Sequence, residues 1–310
     1  MKKAMAIIES RTSRSMERPS RTAYKVALNV ITLGSKPGMD QVLPEGIVPA
    51  TEMLLIKSGI IGDKASAFAR SMWAVSLYEA FDWMMPGQFE AFAHRKAFFE
   101  RQVRESLTAG VVQVLILGAG YDTMGWRLSP EFPDVAFFEI DHPATVRLKA
   151  KGIEKMGLRP NLRLIAKDLS LHKLAEVMSD EQSWDRSAST IIVAEGLLQY
   201  LPTEAVRDLF IQCASIAEDS RIAFTYIPTH QDGRPDAGPC KKLILWLLKI
   251  RGEPWLWSIR PEQLNQFLRY SGWMNAPELL GEYIKHGVEY YAVAMKSGRM
   301  GCLQERKASA

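Results

Sequence analysis

Near residue 110 the spacing of apolar positions along the chain changes character. Before that point apolar and aromatic residues recur every three or four positions across 65–81 and again across 89–107, the period of helices with one buried face. Glycines and prolines between residues 33 and 49 interrupt this helical region. After it, short β-branched or apolar runs alternate with helical stretches, as in a parallel sheet built from βαβ units. The runs predict strands at 111–117, 135–140, 162–166, 190–194, 221–227 and 288–295, with a further one near 279–284. Most are continuous apolar runs, the pattern of strands covered on both faces. Helices are predicted at 143–156, 203–217 and 261–271, with Thr203 and Pro261 at starting positions.

Six or seven strands at this spacing predict one doubly wound α/β domain over 111–300, preceded by a helical region at 21–110. Residues 1–20 read as a flexible basic arm and 301–310 as a tail. The segment 228–260 is longer than an ordinary connection and holds Gly233, Pro235, Gly238 and Pro239 ahead of an apolar run. Such insertions serve as lids or binding loops, so a helical cap is predicted there. The apolar run at 243–250 reads first as an amphipathic helix packed on the core, with a membrane-surface helix as the alternative.

Composition narrows the function classes. With 310 residues, 47% of them hydrophobic, the chain can bury a large core, which excludes disorder as the dominant state. The net charge of +4, from 39 basic and 35 acidic residues, is spread along the sequence, so nucleic acid is not indicated as a partner. Cys213, Cys240 and Cys302 are far apart and fit a reducing, cytoplasmic setting. No apolar run approaches the roughly 20 residues that cross a bilayer. The basic residues of the first twenty positions are interrupted by Glu9 and Glu17 and flank no apolar core, which argues against a secretion signal and leaves an organelle presequence as the alternative to a plain arm. The five histidines show no spacing that would hold a metal.

The strongest local signal is Val114-Leu115-Ile116-Leu117-Gly118-Ala119-Gly120-Tyr121-Asp122, a buried strand entering a G-x-G turn. Gly118 and Gly120 permit a tight turn and close approach to the main chain. Thr123 stands where a dinucleotide fingerprint would have its third small residue, which weakens a nicotinamide or flavin reading. The second strand ends in Asp141, about 20 residues on, where a carboxylate would accept from both hydroxyls of a ribose. The bland alternative for Asp141 is a helix cap ahead of Pro143. Asp168 and Glu195 close the third and fourth strands, at the sheet edge where open α/β folds bind ligands, although either would also serve as a loop cap.

These runs, together with Trp126-Arg127-Leu128, Phe138-Glu139-Ile140-Asp141-His142-Pro143 and Ala194-Glu195-Gly196-Leu197-Leu198-Gln199-Tyr200-Leu201-Pro202, resemble the leucine carboxyl methyltransferase family. The likeness extends from about residue 21 to 296. It implies a Rossmann-like sheet, mostly parallel with an antiparallel last strand, that binds S-adenosylmethionine and methylates an oxygen of a small molecule or peptide. It further implies that Gly118 and Gly120 face the methionine part of that cofactor, Asp141 the ribose, Asp168 and Leu169 the adenine, and Glu195 the amino group. Arg95 would meet the cofactor carboxylate and Lys25 would close over the site, the alternative for Lys25 being a solvated helix face.

The acceptor is not inherited from the resemblance. A carboxylate, which needs no general base, is the expected acceptor; the alternative is a hydroxyl, which needs one, and His230 is the histidine placed by sequence to serve. Tyr200, Tyr226 and Arg260 lie near strand ends or the insertion and are candidates for positioning an acceptor, with core packing the competing account of the tyrosines. Two other classes stay open at this point: a nicotinamide-dependent dehydrogenase, and a non-catalytic protein that binds the cofactor.

Overall fold

A computed structural model describes residues 19–281 and 284–296 of the chain. Among these residues five helices come first: α1 (Arg21–Leu33), α2 (Ile47–Ser58), α3 (Asp63–Ala69), α4 (Met72–Ala80) and the long α5 (Gln88–Thr108). The sheet then begins with β1 (Gln113–Leu117), α6 (Met124–Leu128), β2 (Ala136–Asp141), α7 (Pro143–Met156) and β3 (Leu162–Ala166). It continues through α8 (Leu174–Ser179), β4 (Thr190–Ala194), α9 (Thr203–Ile216) and β5 (Ser220–Tyr226). After the insertion helix α10 (Lys241–Ile250) come α11 (Pro261–Tyr270), β6 (Trp273–Asn275), β7 (Lys285–His286) and β8 (Glu289–Lys296).

The strands order as β3-β2-β1-β4-β5-β8-β6, with β7 paired to β8. The pairs among β1 to β5 are parallel, and β8 runs antiparallel to β5. This is the predicted doubly wound sheet, with the order reversing between β1 and β4, where such sheets open a ligand crevice. Alternate strand residues feed two cores. Val114, Ile116, Phe137 and Val193 pack toward Leu54, Phe98 and Phe99 on one face, while Leu115, Leu117, Phe138 and Ile192 pack toward Phe210 and Leu268 on the other.

The predicted strands are present within one or two residues at each end, apart from the one near 279–284, of which residues 282 and 283 lie outside the described residues. There a 3-10 turn spans Pro277–Leu279 and only Lys285–His286 pairs with β8, while β6 was not foreseen. Two- and three-residue edge strands are too short to display a period. A larger difference concerns α10. It forms where the apolar run predicts a helix, yet none of its residues is buried, so it does not pack on the core as expected. The basic arm and the tail lie outside the described residues except for Pro19 and Ser20. Among the described residues, no helix is long and apolar enough to cross a membrane.

The N-terminal helices are packed against the sheet layer. Gly152 of α7 is the point of closest approach to α2: a Cβ there would lie 2.7 Å from Leu54 Cδ1 and 3.0 Å from the Leu54 carbonyl oxygen. Gly152→Val is therefore expected to separate the two helices and to lower stability by roughly 1 to 3 kcal/mol, the usual penalty of overpacking. Chemical denaturation of wild type and variant measures it, and an unchanged midpoint would show that the helices part without penalty.

Candidate active site

The carboxyl ends of β1 to β4 open into a cavity of about 740 Å3, within the range of small-molecule sites. At its floor Gly118 and Gly120 adopt φ of +65° and +52°, the left-handed region that glycine enters without strain. A Cβ on Gly118 would stand 2.9 Å from Leu197, and one on Gly120 would stand 3.0 Å from Ala23 of α1. The turn is thus closely overlaid by the chain itself as well as open to the cavity. The close helix approach that a dinucleotide fingerprint obtains at position 123 is made instead by Gly125, whose added Cβ would lie 2.5 Å from Glu139.

Asp141 ends β2 with both carboxylate oxygens engaged: Oδ2 accepts from the Gly120 N–H at 2.7 Å and Oδ1 from the His142 N–H at 2.6 Å. Burial raises its pKa above the ordinary range, against those two hydrogen bonds. The cap of α7 is provided by His142, whose Nδ1 accepts from the Ala144 N–H, so Asp141 is left facing the cavity rather than capping the helix. Asp168 turns one oxygen back to Ser170, at 2.9 Å from its N–H and 2.6 Å from its hydroxyl, and stands beside Leu169 in the same wall.

Arg95 and Glu195 also reach the cavity wall, but as members of a buried charge cluster. The Arg95 Nε donates to Glu195 at 2.9 Å, and Nη1 donates to both oxygens of Glu289 at 2.8 and 2.7 Å. Nη2 is the nitrogen that neither glutamate engages. Lys96 joins Glu195, at 2.8 Å, to Asp122. Gly196, at φ +60°, clears the way, since a Cβ there would lie 3.3 Å from Arg95 Nη1. Burial alone would lower the Arg95 pKa, but Glu289 and Glu195 outweigh it and hold the group above its ordinary value. Burial alone would raise Asp122, but Lys96 and Lys149 hold it well below the carboxylate range.

The roof is formed by α1 and the segment after α10. Glu253 accepts from the Ser20 hydroxyl at 3.2 Å, the Arg21 and Thr22 N–H groups at 3.1 and 3.2 Å, and the Thr22 hydroxyl at 2.5 Å. It thereby closes the exposed amide end of α1. Lys25 lies in this roof, and burial followed by the nearby Arg251 lowers its pKa. Beyond the strand ends the cavity becomes apolar, walled by Tyr78, Phe81, Met84, Met85, Phe89 and Phe92 on one side and Ile244 and Leu248 on the other. Two wall residues hold buried acceptors without a partner among the described residues, Asn29 Oδ1 and Gln199 Oε1.

Gly118, Gly120, Asp141, Asp168, Leu169, Glu195, Arg95, Lys25 and Tyr200 therefore share one cavity. The Tyr200 hydroxyl lies against Trp255 and Thr22, and burial raises its pKa. The other acceptor candidates do not reach it. Tyr226 is 4% exposed and packs between Phe224 and Tyr290, because its position on β5 faces the core. His230 stands in a turn outside the cavity with Nδ1 3.2 Å from Asp232. Arg260 is exposed at the N-cap of α11. Lys96, Asp122, Gln199, Glu253 and Glu289 were not foreseen as site residues, since their partners lie up to 233 positions away in sequence.

The profile of leucine carboxyl methyltransferases matches residues 55–214, about half of the chain. The chain belongs to the leucine carboxyl methyltransferase family. A protein of Mycolicibacterium vanbaalenii named "Putative S-adenosyl-L-methionine-dependent methyltransferase" is 35% identical over 148 residues, covering 46% of this chain and 47% of that protein. One of the same name from Mycolicibacterium paratuberculosis is 34% identical over 140 residues, covering 45% and 43%. The chain thus spans about half the length of the curated relatives it matches. In fold it is similar to a crystal structure titled as a putative methyltransferase from Thermobifida fusca, with a TM-score of 0.55 at 16% identity over 84% of this chain and 97% of that one.

Two outcomes are expected from this geometry. Arg95→Ala leaves Glu195 and Glu289 buried without their cation and should lower stability by about 3 to 5 kcal/mol, while Arg95→Lys should lose less; thermal melts of both test this. A nucleoside-bearing ligand hydrogen-bonded to Asp141 should bind about 1.5 to 3 kcal/mol more weakly to Asp141→Ala. Only the carboxylate accepts from both hydroxyls, so affinity should fall as pH drops, beginning above the ordinary aspartate value of about 3.9 because burial has raised this group. Calorimetry with S-adenosylhomocysteine against pH checks both points, and an Asp141→Ala affinity equal to wild type would remove Asp141 from the site.

Proposed function

We propose that the protein is an S-adenosylmethionine-dependent O-methyltransferase whose acceptor is a carboxylate carried by a small molecule or peptide with an apolar body. The observation that carries this reading is the single cavity that joins the polar strand ends to a chamber of aromatic and methionine side chains. When bound, S-adenosylmethionine supplies a methyl group made electrophilic by its sulfonium. Asp141 would accept from the ribose hydroxyls, Leu169 and Asp168 would flank the adenine, and the glycine turn would leave room beside the methionine part. Arg95, through Nη2, would meet the carboxylate, and Gln199 Oε1 and Glu195 provide acceptors for the ammonium.

What remains for the protein is to hold an acceptor oxygen in line with the methyl, about 3 Å away, and to exclude water. The apolar chamber and the roof do both. A carboxylate arrives ionised and needs no proton removed, and the roof cations Lys25 and Arg251 would draw it inward. A hydroxyl acceptor would need a base. Among the described residues the one histidine in the wall is His142, whose Nδ1 already caps α7, which favours the carboxylate. The family name and the names of the relatives support the methyl-transfer chemistry, while the acceptor rests on the cavity alone.

Turnover with a panel of acids bearing aromatic or acyl bodies, followed as S-adenosylhomocysteine release, tests the reading. Single-turnover rates should be nearly flat across about pH 6 to 9, where a carboxylate stays charged. His230→Ala should leave the rate unchanged, because the residue stands outside the cavity. Mild alkali should release methanol from the product, as a methyl ester does. A base-stable product would point to a hydroxyl acceptor, and binding without any turnover would point to a non-catalytic role.

A further inference from the structure

We propose that the outer face of α10, together with the exposed faces of α3 and α4 on the other side of the cavity mouth, is a docking surface for an anionic lipid bilayer. This proposal does not depend on the methyl-transfer reading. It begins with α10, whose sequence KKLILWLLKI holds seven apolar residues, three lysines and no acid, yet buries none of them. At 100° per residue the helix has two apolar sides. Ile244 and Leu248 turn to the cavity. Leu243, Trp246 and Ile250 fall on the opposite side and are 44%, 57% and 59% exposed. Lys242 and Lys249, both exposed, border that outer stripe along one edge.

The second observation lies across the mouth. Phe68 on α3, Met72, Trp73 and Leu77 on α4, and Phe81 and Trp83 just beyond it are each at least half exposed, Trp73 reaching 81%. Phe81 also lines the cavity, as Ile244 does from the α10 side, and a Cβ on Gly238 ahead of α10 would lie 3.9 Å from the Met84 carbonyl oxygen. The two exposed apolar sets therefore border one opening. Large apolar side chains exposed in this number around one opening mark an interaction site.

Charge selects the occupant. Tryptophan beside lysine is the composition of segments seated at a membrane interface, where the rings lie at headgroup level and the cations meet anionic lipid. Lys64, Lys242, Lys249 and Arg251 are exposed around the patch. Of the acids near it, Glu79 pairs with Lys36 and Asp232 with Lys241, Asp82 between Phe81 and Trp83 accepts from the Gly87 N–H, and Asp63 lies at the start of α3. A second copy docked through α10 would set one basic edge against another, which an anionic surface does not.

The test is flotation of the full chain with phosphatidylcholine vesicles, with and without phosphatidylserine. Binding is expected to the anionic vesicles only, to weaken as salt is raised, and to be accompanied by a blue shift of tryptophan emission that brominated lipid quenches. Trp73→Ala with Trp246→Ala, and separately Lys242→Glu with Lys249→Glu, should each weaken binding by about tenfold or more. Both pairs are exposed, so melting temperature and S-adenosylhomocysteine affinity should stay at wild-type values, which separates loss of docking from loss of fold. Failure to bind either vesicle, or binding that neither pair alters, would overturn the proposal. So would a concentration-dependent dimer dispersed by Trp246→Ala, which would assign the face to a second copy.

Discussion

Arg95, held between Glu195 and Glu289, ties three parts of the chain together beside the cavity. It projects from α5, Glu195 ends β4, Glu289 opens β8, and through Lys96 the same cluster grips Asp122 in the turn after β1. Charges withdrawn from water are tolerated only when each meets an opposite partner in good geometry. Satisfying that demand fixes the rotation of α5 on the sheet and the height of the glycine turn beneath it. Two cations face three carboxylates in the cluster, Asp122, Glu195 and Glu289, and the excess of one negative charge lies beside the cavity. A ligand bearing positive charge is complemented there.

The two halves of the cavity are built on different foundations. Rigid strand ends present Asp141, Asp168 and the glycine turn, each braced by backbone hydrogen bonds, so that half is suited to one invariant ligand. The chamber is walled by helix residues that include Met84 and Met85, side chains that adapt to irregular shapes. A site arranged this way can hold one half constant while the other is reshaped, which agrees with a family resemblance that is firm at the strand ends and silent on substrate.

The legibility of the sequence follows the same division. The strands β1 to β5 were readable because their runs are largely apolar, with β1, β4 and β5 buried along their whole length, and Gly118, Gly120 and Asp141 were readable because the turn and the next strand follow β1 closely in sequence. Glu289 was not, since its meaning depends on Arg95, 194 residues earlier. Tyr226 looked like a wall residue because strand ends are where ligands bind, but nearness to an end does not say which face a side chain takes, and this one faces the core. The run at 243–250 has the period of a packed helix, and periodicity reports that an apolar stripe exists without reporting what covers it.

Glu253 holds the start of α1 with four hydrogen bonds, and those bonds join residues more than 230 positions apart. The donors it serves are neighbours on one turn, so a single side chain satisfies the start of the helix. The roof over the crevice is thereby fastened at one point, where α1 and the segment after α10 meet. A change at one glutamate would therefore be felt on both sides of that seam, in the first turn of a helix near one end of the chain and in an insertion near the other.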